Sequence, residues 1–555
     1  MKKLFKKIVC LGLAAMLTLP LTACSKNEKN QNTQEEVTGA AENQGATDQS
    51  KANEVKKFNV FAGISSMSPD NSEKTLVKQM NEKMGVTINW NCVAGDALTE
   101  RKNVLFATGV DLPDAFMGAS LSDYELNTYG GQGLLIPLNS YINEETMPNL
   151  MKLIEKRPDL LSTCTMPDGN IYGLPSISEM GFKNSDGNTY YIGAIPQFTS
   201  INKKWLDNLG LAMPTTIDEL HDVLVAFRDK DANGNGDPND EIPLSFMYGN
   251  WCAGMTSLFS AFGFTDYNDQ HRVVEDGVVK FNATKEEYKK AMEYFHQWYA
   301  EGLIDLEVFS QDASQYIAKG QNADELLGCF TWWEIPEVVG NDNAADYTYL
   351  PFLTDSEGNS GVNLNEQGTT GHGAFSVTNA CKNPELLLKW VDQLYDPMNS
   401  MQAIYGPIGE FFSVTPDSNG VYTTRELAAN ETAGDLKARL ELWGPTAQLS
   451  EDYGTYYYME DRAQQRLNDL RDFWFKNVNN FEYYPSVTFT VDETNTINDK
   501  ISDIQQYVSE TGARWLTDGG VEEEWDDYVK QLDSMGLQDV IKCWQDAYDR
   551  YMAVK

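Results

Sequence analysis

Phe58-Asn59-Val60-Phe61-Ala62-Gly63 reads as a buried strand, short, apolar and closed by a glycine. Downstream, Leu76, Val77, Met80 and Met84 recur at helical spacing and stop at Gly85, where a helix can end. Val86, Ile88, Trp90 and Cys92 then alternate as a second strand. A second helix runs through Val104, Leu105 and Phe106 to Gly109, and Pro113-Asp114-Ala115-Phe116-Met117 gives a third strand. The order β-α-β-α-β predicts an α/β fold with a parallel sheet, whose ligands sit beyond the carboxyl ends of the strands. On that rule the loop Ser65-Ser66-Met67 and the segment near Asp114 are expected on the ligand side.

Outward from this stretch the chain runs to 555 residues, enough for two to four ordinary domains. Its 43 Lys and Arg against 82 Asp and Glu give a formal charge of −39, the wrong sign for a protein that grips the nucleic-acid backbone or anionic lipid. Nucleic acid is therefore not an expected partner. A 41% hydrophobic and 11% aromatic content is enough to build large cores.

Before the fold lies a different kind of sequence. Lys2, Lys3, Lys6 and Lys7 precede an almost wholly apolar run from Ile8 to Leu21, and Leu21-Thr22-Ala23-Cys24 follows. A basic start, a short apolar run and small residues before a cleavage point are the marks of a secretion signal over residues 1–23. The run is shorter than the roughly 20 residues a membrane-spanning helix needs. The Leu-Thr-Ala-Cys ending resembles a bacterial lipobox, which implies that Cys24 becomes the lipidated first residue, held by acyl chains such as palmitate. Residues 25–57 contain no aromatic side chain and are rich in Asn, Gln, Glu, Lys, Ala, Thr and Gly. Such a segment cannot bury a core; as a flexible coil it reaches roughly 30–35 Å and would serve as a tether.

Further along, helical patterns dominate. Thr216 and Glu219 form a capping box ahead of Leu220, Val223, Leu224 and Phe227. Another helix is expected over Glu286 to Tyr299, and near the end Trp525, Tyr528, Val529 and Leu532, then Ile541, Trp544 and Tyr548, make apolar stripes read chiefly as core. Cys92, Cys164, Cys252, Cys329, Cys381 and Cys543 are widely spaced with no CxxC pair, signalling neither zinc nor a disulfide framework.

One metal pattern stands out. Asp229, Asp231, Asn233, Asn235, Asp237 and Asp240 fall at positions 1, 3, 5, 7, 9 and 12 of a loop with Gly234 at position 6, the spacing of an EF-hand-like calcium loop. Asn235 would offer its backbone carbonyl. Asp240 stands where a longer Glu is usual and Glu241 follows, so either could supply the last ligand. The ion, Ca2+, is expected to be structural, because no nucleophile accompanies it. Enzymatic signatures are weak: four histidines, His221, His271, His296 and His372, with no HExxH, GxSxG or Walker loop. The chain is not read as an enzyme.

Several segments carry a wider resemblance: Gly133-Leu-Leu-Ile-Pro-Leu-Asn139, Pro167-Asp-Gly-Asn-Ile-Tyr-Gly-Leu-Pro175, Asn202-Lys-Lys-Trp-Leu-Asp-Asn-Leu-Gly-Leu211, the loop with Asp240-Glu-Ile-Pro243, Gly302-Leu-Ile-Asp305 and Trp525-Asp-Asp-Tyr528. In this order they resemble the lipoprotein substrate-binding components of Gram-positive ABC importers, the long extracellular solute-binding proteins of the carbohydrate-uptake group. The resemblance implies a periplasmic-binding-protein-like fold of two α/β lobes around a hinged cleft, and a helix-rich C-terminal part. It also implies a monomer on the extracellular face of the membrane that passes an oligosaccharide to ABC permease subunits. We divide the chain into a first lobe over 58–180, a second over 181–340, a return to the first over 341–400, and 401–555 as the C-terminal part of the second. Rival readings are a peptide or other solute as ligand, and a surface glycoside-processing enzyme.

A sugar ring shows C–H faces and a hydroxyl rim, so its site needs flat aromatic platforms and fixed polar groups. Leu326-Leu-Gly-Cys-Phe-Thr-Trp-Trp-Glu-Ile-Pro336 reads as a strand emptying into a loop, and is similar to the family segment carrying a stacking tryptophan. Trp332 and Trp333 are the expected platforms, with Glu334 as a hydroxyl partner. Trp251, among small and polar residues, is a second platform, and Asp114, His372 and the loop Tyr405–Phe411 are further candidates.

Overall fold

The structure is a computed structural model that describes residues 56–554 apart from 95–96, 184–188, 268–270, 366–368, 429–430, 476–477 and 479–481. The signal segment, Cys24 and nearly all of the tether lie outside the described residues. Along the chain, β1 (Lys57–Ile64), β2 (Thr87–Ala94), β3 (Ala115–Met117) and β4 (Leu174–Ser178) precede a hairpin, β5 (Gly181–Lys183) and β6 (Thr189–Tyr191). There follow β7 (Phe198–Asn202), β8 (Ile242–Ser245), a second hairpin of β9 (Arg272–Glu275) and β10 (Val278–Phe281), then β11 (Leu327–Trp332), β12 (Tyr347–Tyr349), β13 (Thr369–Val377) and β14 (Ala447–Gln448).

The opening stretch folds as its periodicity predicts. Helix Thr75–Met84 ends on Gly85, left-handed at φ 63°, and β1 pairs in parallel with β2 and β3. The six-stranded sheet runs β14-β4-β13-β3-β1-β2, with β13 antiparallel to both neighbours. Both of its faces are covered. Phe58, Val60 and Ile88 pack with Leu76, Val77, Leu387 and Trp390, while on the other side Phe106 stacks on Phe116, which meets Phe61 at a tilt.

A second sheet, β12-β7-β11-β8, mixes parallel and antiparallel pairs. Its core takes the capped helix Ile217–Asp229, the helix Glu286–Ala300 and the C-terminal helices Ile501–Asp518, Val521–Ser534 and Leu537–Val554. Trp515, Trp525, Tyr528, Leu532, Trp544 and Tyr548 are buried there, so the C-terminal stripes serve packing. The chain crosses between sheets three times: between β4 and β7, between β12 and β13, and after β14. A third cluster, with Tyr190, Ile195, Phe198, Phe352, Leu364, Leu470 and Trp474, draws residues from all three crossings.

The packing divides the second half differently from the boundaries expected at 341 and 401. Residues 347–349 still pair with β7 of the second sheet. Ala403, Leu442, Ala447 and Leu449 belong to the core of the first sheet, because β14 adds to its edge in parallel with β4. The first lobe therefore extends to about β14, and the second recovers the chain only in its C-terminal helices. Among the described residues, Cys92, Cys164, Cys252, Cys329, Cys381 and Cys543 form no disulfide, and no helix is long and apolar enough to cross a membrane.

Candidate functional site

At the carboxyl ends of β3 and β4 the first lobe encloses a cavity of about 710 Å3. Gly118, Ser120 and Leu121 follow β3 into it, Ser176 and Ser178 come from β4, and Gly371 to Ala374 come from the amino half of antiparallel β13. Tyr405, Lys437, Trp443, Thr446 and Gln448 complete the wall. Trp443 is 36% exposed, a large open indole in a wall of small polar groups. It lies hard against the end of β3: a Cβ on Gly118, whose φ is 57°, would stand 2.6 Å from the Cβ of Trp443. Only glycine fits that approach. Ser120 also has a positive φ, 50°, a strained conformation that persists where surroundings over-determine it. Here the buried Lys102 fixes it, donating to the carbonyls of Ala119 (3.3 Å) and Ser120 (3.1 Å) and to Glu125 (2.9 Å). Gln448 accepts from Ser178 at 3.3 Å and donates to the Tyr405 hydroxyl at 2.9 Å. The wall thus sets hydroxyl and amide groups beside one indole and the apolar side chains of Leu121, Ile177, Met180, Ile404 and Leu442, with Lys437, Glu441 and His372 among its ionisable members.

The second lobe contributes an aromatic rim at the carboxyl end of β11. Trp332 is 9% exposed, packed beside Tyr316 with its indole N–H on Glu337 at 2.9 Å. Trp333 is half-buried and also donates to Glu337, while its ring meets Trp251 edge-on at 5.3 Å. The guanidinium groups of Arg462 and Arg466 lie 5.7 and 5.5 Å from the Trp333 ring. Trp251 is 55% exposed. Burial opposes ionisation of Glu337, but the two indole donors and the Arg462 guanidinium outweigh it and hold its carboxyl below the usual range. A short hydrogen-bonded path joins this rim to the cavity: Ile192 N–H donates to the Met180 carbonyl (2.7 Å), and Arg466 donates to the carbonyls of Ile192 (3.4 Å) and Trp333 (3.1 Å). Met180 lines the cavity, so the path links its edge to the rim, while Trp251 itself lines a separate pocket of about 310 Å3 with Gln197, Tyr248 and Asn250.

The expected residues are placed unequally. Trp333 and Trp251 touch, but Trp332 is a core residue with a satisfied N–H rather than an open platform. Glu334 begins the helix Ile335–Asn343 and its carboxylate is engaged by Arg462. Asp114 is misassigned: it precedes β3, at the amino end of a strand parallel to β1, and its carboxylate accepts the Asn59 N–H at 2.7 Å. His372 lines the cavity within a shift of register in β13, its ring held between Asp123 (2.6 Å) and Ser486 (3.0 Å). The loop Ser65–Met67 follows β1 but does not line the cavity; the Ser68 hydroxyl beside it donates to the carbonyls of Pro69 (3.2 Å) and Arg439 (3.4 Å). Trp443 is the omission, although Trp443-Gly444-Pro445 carries the same signal as Trp251, an aromatic among residues that cannot bury it.

The acidic loop after helix Ile217–Asp229 closes on itself. Asp231 accepts the N–H groups of Gly234 (2.9 Å) and Gly236 (3.0 Å), and Asp240 accepts the side-chain amides of Asn233 (3.2 Å) and Asn235 (2.7 Å). Glu241 accepts the Ala232 N–H at 2.7 Å with one oxygen, while the other is buried without a partner. Asp229 ends the helix and pairs with Arg228 at 2.7 Å. Asp237 spends its carboxylate on Asn239. Among the described residues no three His, Cys, Asp or Glu side chains cluster as a metal site. The oxygens of Asp231, Asn233, Asn235, Asp240 and Glu241, one of them orphaned, nevertheless form the hard donor set that fits Ca2+.

No family model matches the chain. The fructooligosaccharide ABC transporter substrate-binding protein FusA of Streptococcus pneumoniae is 35% identical over 510 residues, covering 90% of this chain and 92% of that protein. The chain belongs to the ABC transporter substrate-binding proteins. Among solved members, a FusA EF-hand mutant in complex with fructo-nystose superimposes with a TM-score of 0.71 at 34% identity, over 90% of this chain and 100% of that one. An HMO-binding, ABC-transporter-associated solute-binding protein from Bifidobacterium longum infantis gives 0.73 at 26% identity, over 90% and 99%. The substrate-binding protein described here thus shares its two-lobed α/β architecture with carbohydrate-binding relatives.

Proposed function

We propose that this substrate-binding protein captures a neutral oligosaccharide in the cleft between its lobes and delivers it to the permease subunits of an ABC importer. The observation that carries the reading is the 710 Å3 cavity, where the Trp443 indole stands beside hydroxyl and amide groups. Such a wall matches the C–H face and hydroxyl rim of a sugar. A polyanionic sugar would call for several Arg or Lys donors, whereas this wall carries Lys437 opposed by Glu441. Identity with FusA favours a fructooligosaccharide. Trp333 and Trp251 supply the opposing surface on closure, which follows only if the sugar binds the closed arrangement more tightly than the open one. No group in the cleft is assigned a catalytic role. Lipidation at Cys24 would hold the protein on the extracellular face of the membrane.

Incubating the mature chain with a mixed pool of kestose, nystose, milk oligosaccharides and peptides tests this. We expect a rise in melting temperature with an unaltered oligosaccharide, as native-state binding raises stability. Turnover of the sugar, or selective retention of peptide, would sink the reading.

Ca2+, held by Asp231, Asn233, Asn235, Asp240 and Glu241, would supply charge neutralisation that ties the end of helix Ile217–Asp229 to β8. Adding Ca2+ to chelated protein at about 100 times its dissociation constant should stabilise the fold by about 2.7 kcal/mol. Glu241→Gln should lose most of that gain. Melting curves that ignore both chelator and Ca2+ would contradict the assignment.

A further inference from the structure

Lys102 reaches from helix Ala97–Thr108 to the turn that leaves β3 and spends all three ammonium protons there, on the carbonyls of Ala119 and Ser120 and on Glu125. Glu125 is fixed in turn, because its carboxylate also accepts the Ser122 N–H at 2.8 Å and the Ser122 hydroxyl at 3.0 Å. Lys102 is 4% exposed, so the protein buries a charge to hold this turn. A trans peptide is planar, with its C=O and N–H on opposite sides. Drawing the Ala119 carbonyl onto Lys102 therefore turns the Ser120 N–H the other way, and drawing the Ser120 carbonyl does the same to the Leu121 N–H. Lys102, Ala119 and Glu125 lie off the cavity wall, whereas Ser120 and Leu121 lie on it and Ser120 is exposed. Among the described residues neither N–H meets an acceptor of the protein.

We infer that the backbone N–H groups of Ser120 and Leu121 are fixed donors of the binding site, reading a hydroxyl or ring oxygen of the sugar, and that Lys102 is a positioning residue that never touches the ligand. The inference rests on the oligosaccharide reading above and sharpens it. An indole offers its face to any sugar ring, while donors set by the backbone select where an oxygen must stand. Gly118 admits Trp443 at one end of the turn and Ser120 holds its positive φ at the other, so a single strained segment sets platform and donors together.

Replacing one peptide N–H by an ester oxygen tests this, with glyceric acid at position 120 or leucic acid at position 121 of the full mature chain, the α-hydroxy counterparts of serine and leucine. Calorimetry with kestose and nystose should show the tighter sugar weakened roughly fivefold by each ester, as for loss of one hydrogen bond. The ligand-free melting temperature should change little, because neither N–H has a partner inside the protein to lose. Lys102→Met should weaken the same sugar at least fivefold, and adding either ester to it should cost little more, since both changes act on one pair of donors. A lysine that only stabilised the fold would lower the melting temperature and leave the affinity alone. If Lys102→Met does not fold, the esters decide alone. Wild-type binding with both esters within twofold of it overturns the inference and leaves the oligosaccharide reading standing. Wild-type failure to bind either sugar overturns the fructooligosaccharide reading, and this inference with it.

Discussion

Trp443→Ala should weaken oligosaccharide binding by about 1–3 kcal/mol, roughly five- to 150-fold, without lowering the melting temperature of the ligand-free protein. The side chain is partly open on the cavity side, and it is the Cβ and backbone of Trp443 that lie against Gly118. Its removal takes a flat face from the sugar but leaves no sealed void in a core. Trp443→Phe should recover part of the loss, because a smaller ring still offers a platform. Titration calorimetry with kestose and nystose reads both, and unchanged affinity in Trp443→Ala would remove the indole from the site.

Trp332→Ala should behave in the opposite way. The side chain is enclosed with Tyr316, Phe330, Ile335 and Val338, so truncation leaves a cavity and should cost about 3–5 kcal/mol of stability. Glu337 would keep Trp333 and Arg462 as partners, which makes packing, not an orphaned carboxylate, the source of the loss. Urea unfolding should show a lower midpoint with an unchanged slope. A variant that unfolds like the wild type yet no longer binds sugar would restore Trp332 to the role its position in sequence suggested.

These two tryptophans mark how far the sequence could be read. The opening β-α-β-α-β run was legible because each element is local: a period of two or 3.6, a glycine stop, a short turn. Trp332-Trp333 was legible as a strand end, but which indole faces the cleft depends on the turn into helix Ile335–Asn343, and pattern alone does not set it. Asp114 was misread for a different reason: it precedes Ala115-Phe116-Met117, so chain order alone puts it at the amino end of that strand, opposite the end where ligands sit. The acidic loop was legible as a loop, but the pairings inside it, Asp231 with the N–H groups of Gly234 and Gly236 and Asp229 with Arg228, follow from the folded turn rather than from the spacing. Trp443 and β14 were hidden most deeply, since their membership in the first lobe rests on pairing between Ala447 and Ile177 that no local period records.

That pairing, 270 residues apart in the chain, bears on how the molecule comes into being. During synthesis the first lobe lacks a central strand until residue 377 has emerged and an edge strand until residue 448 has, by which time all four strands of the second sheet have already been made. Its early part cannot mature ahead of the rest, and the closing of such distant contacts is slow. Slowness of this kind is an asset to any chain that must be threaded through a membrane before it folds, because it stays extended long enough to pass.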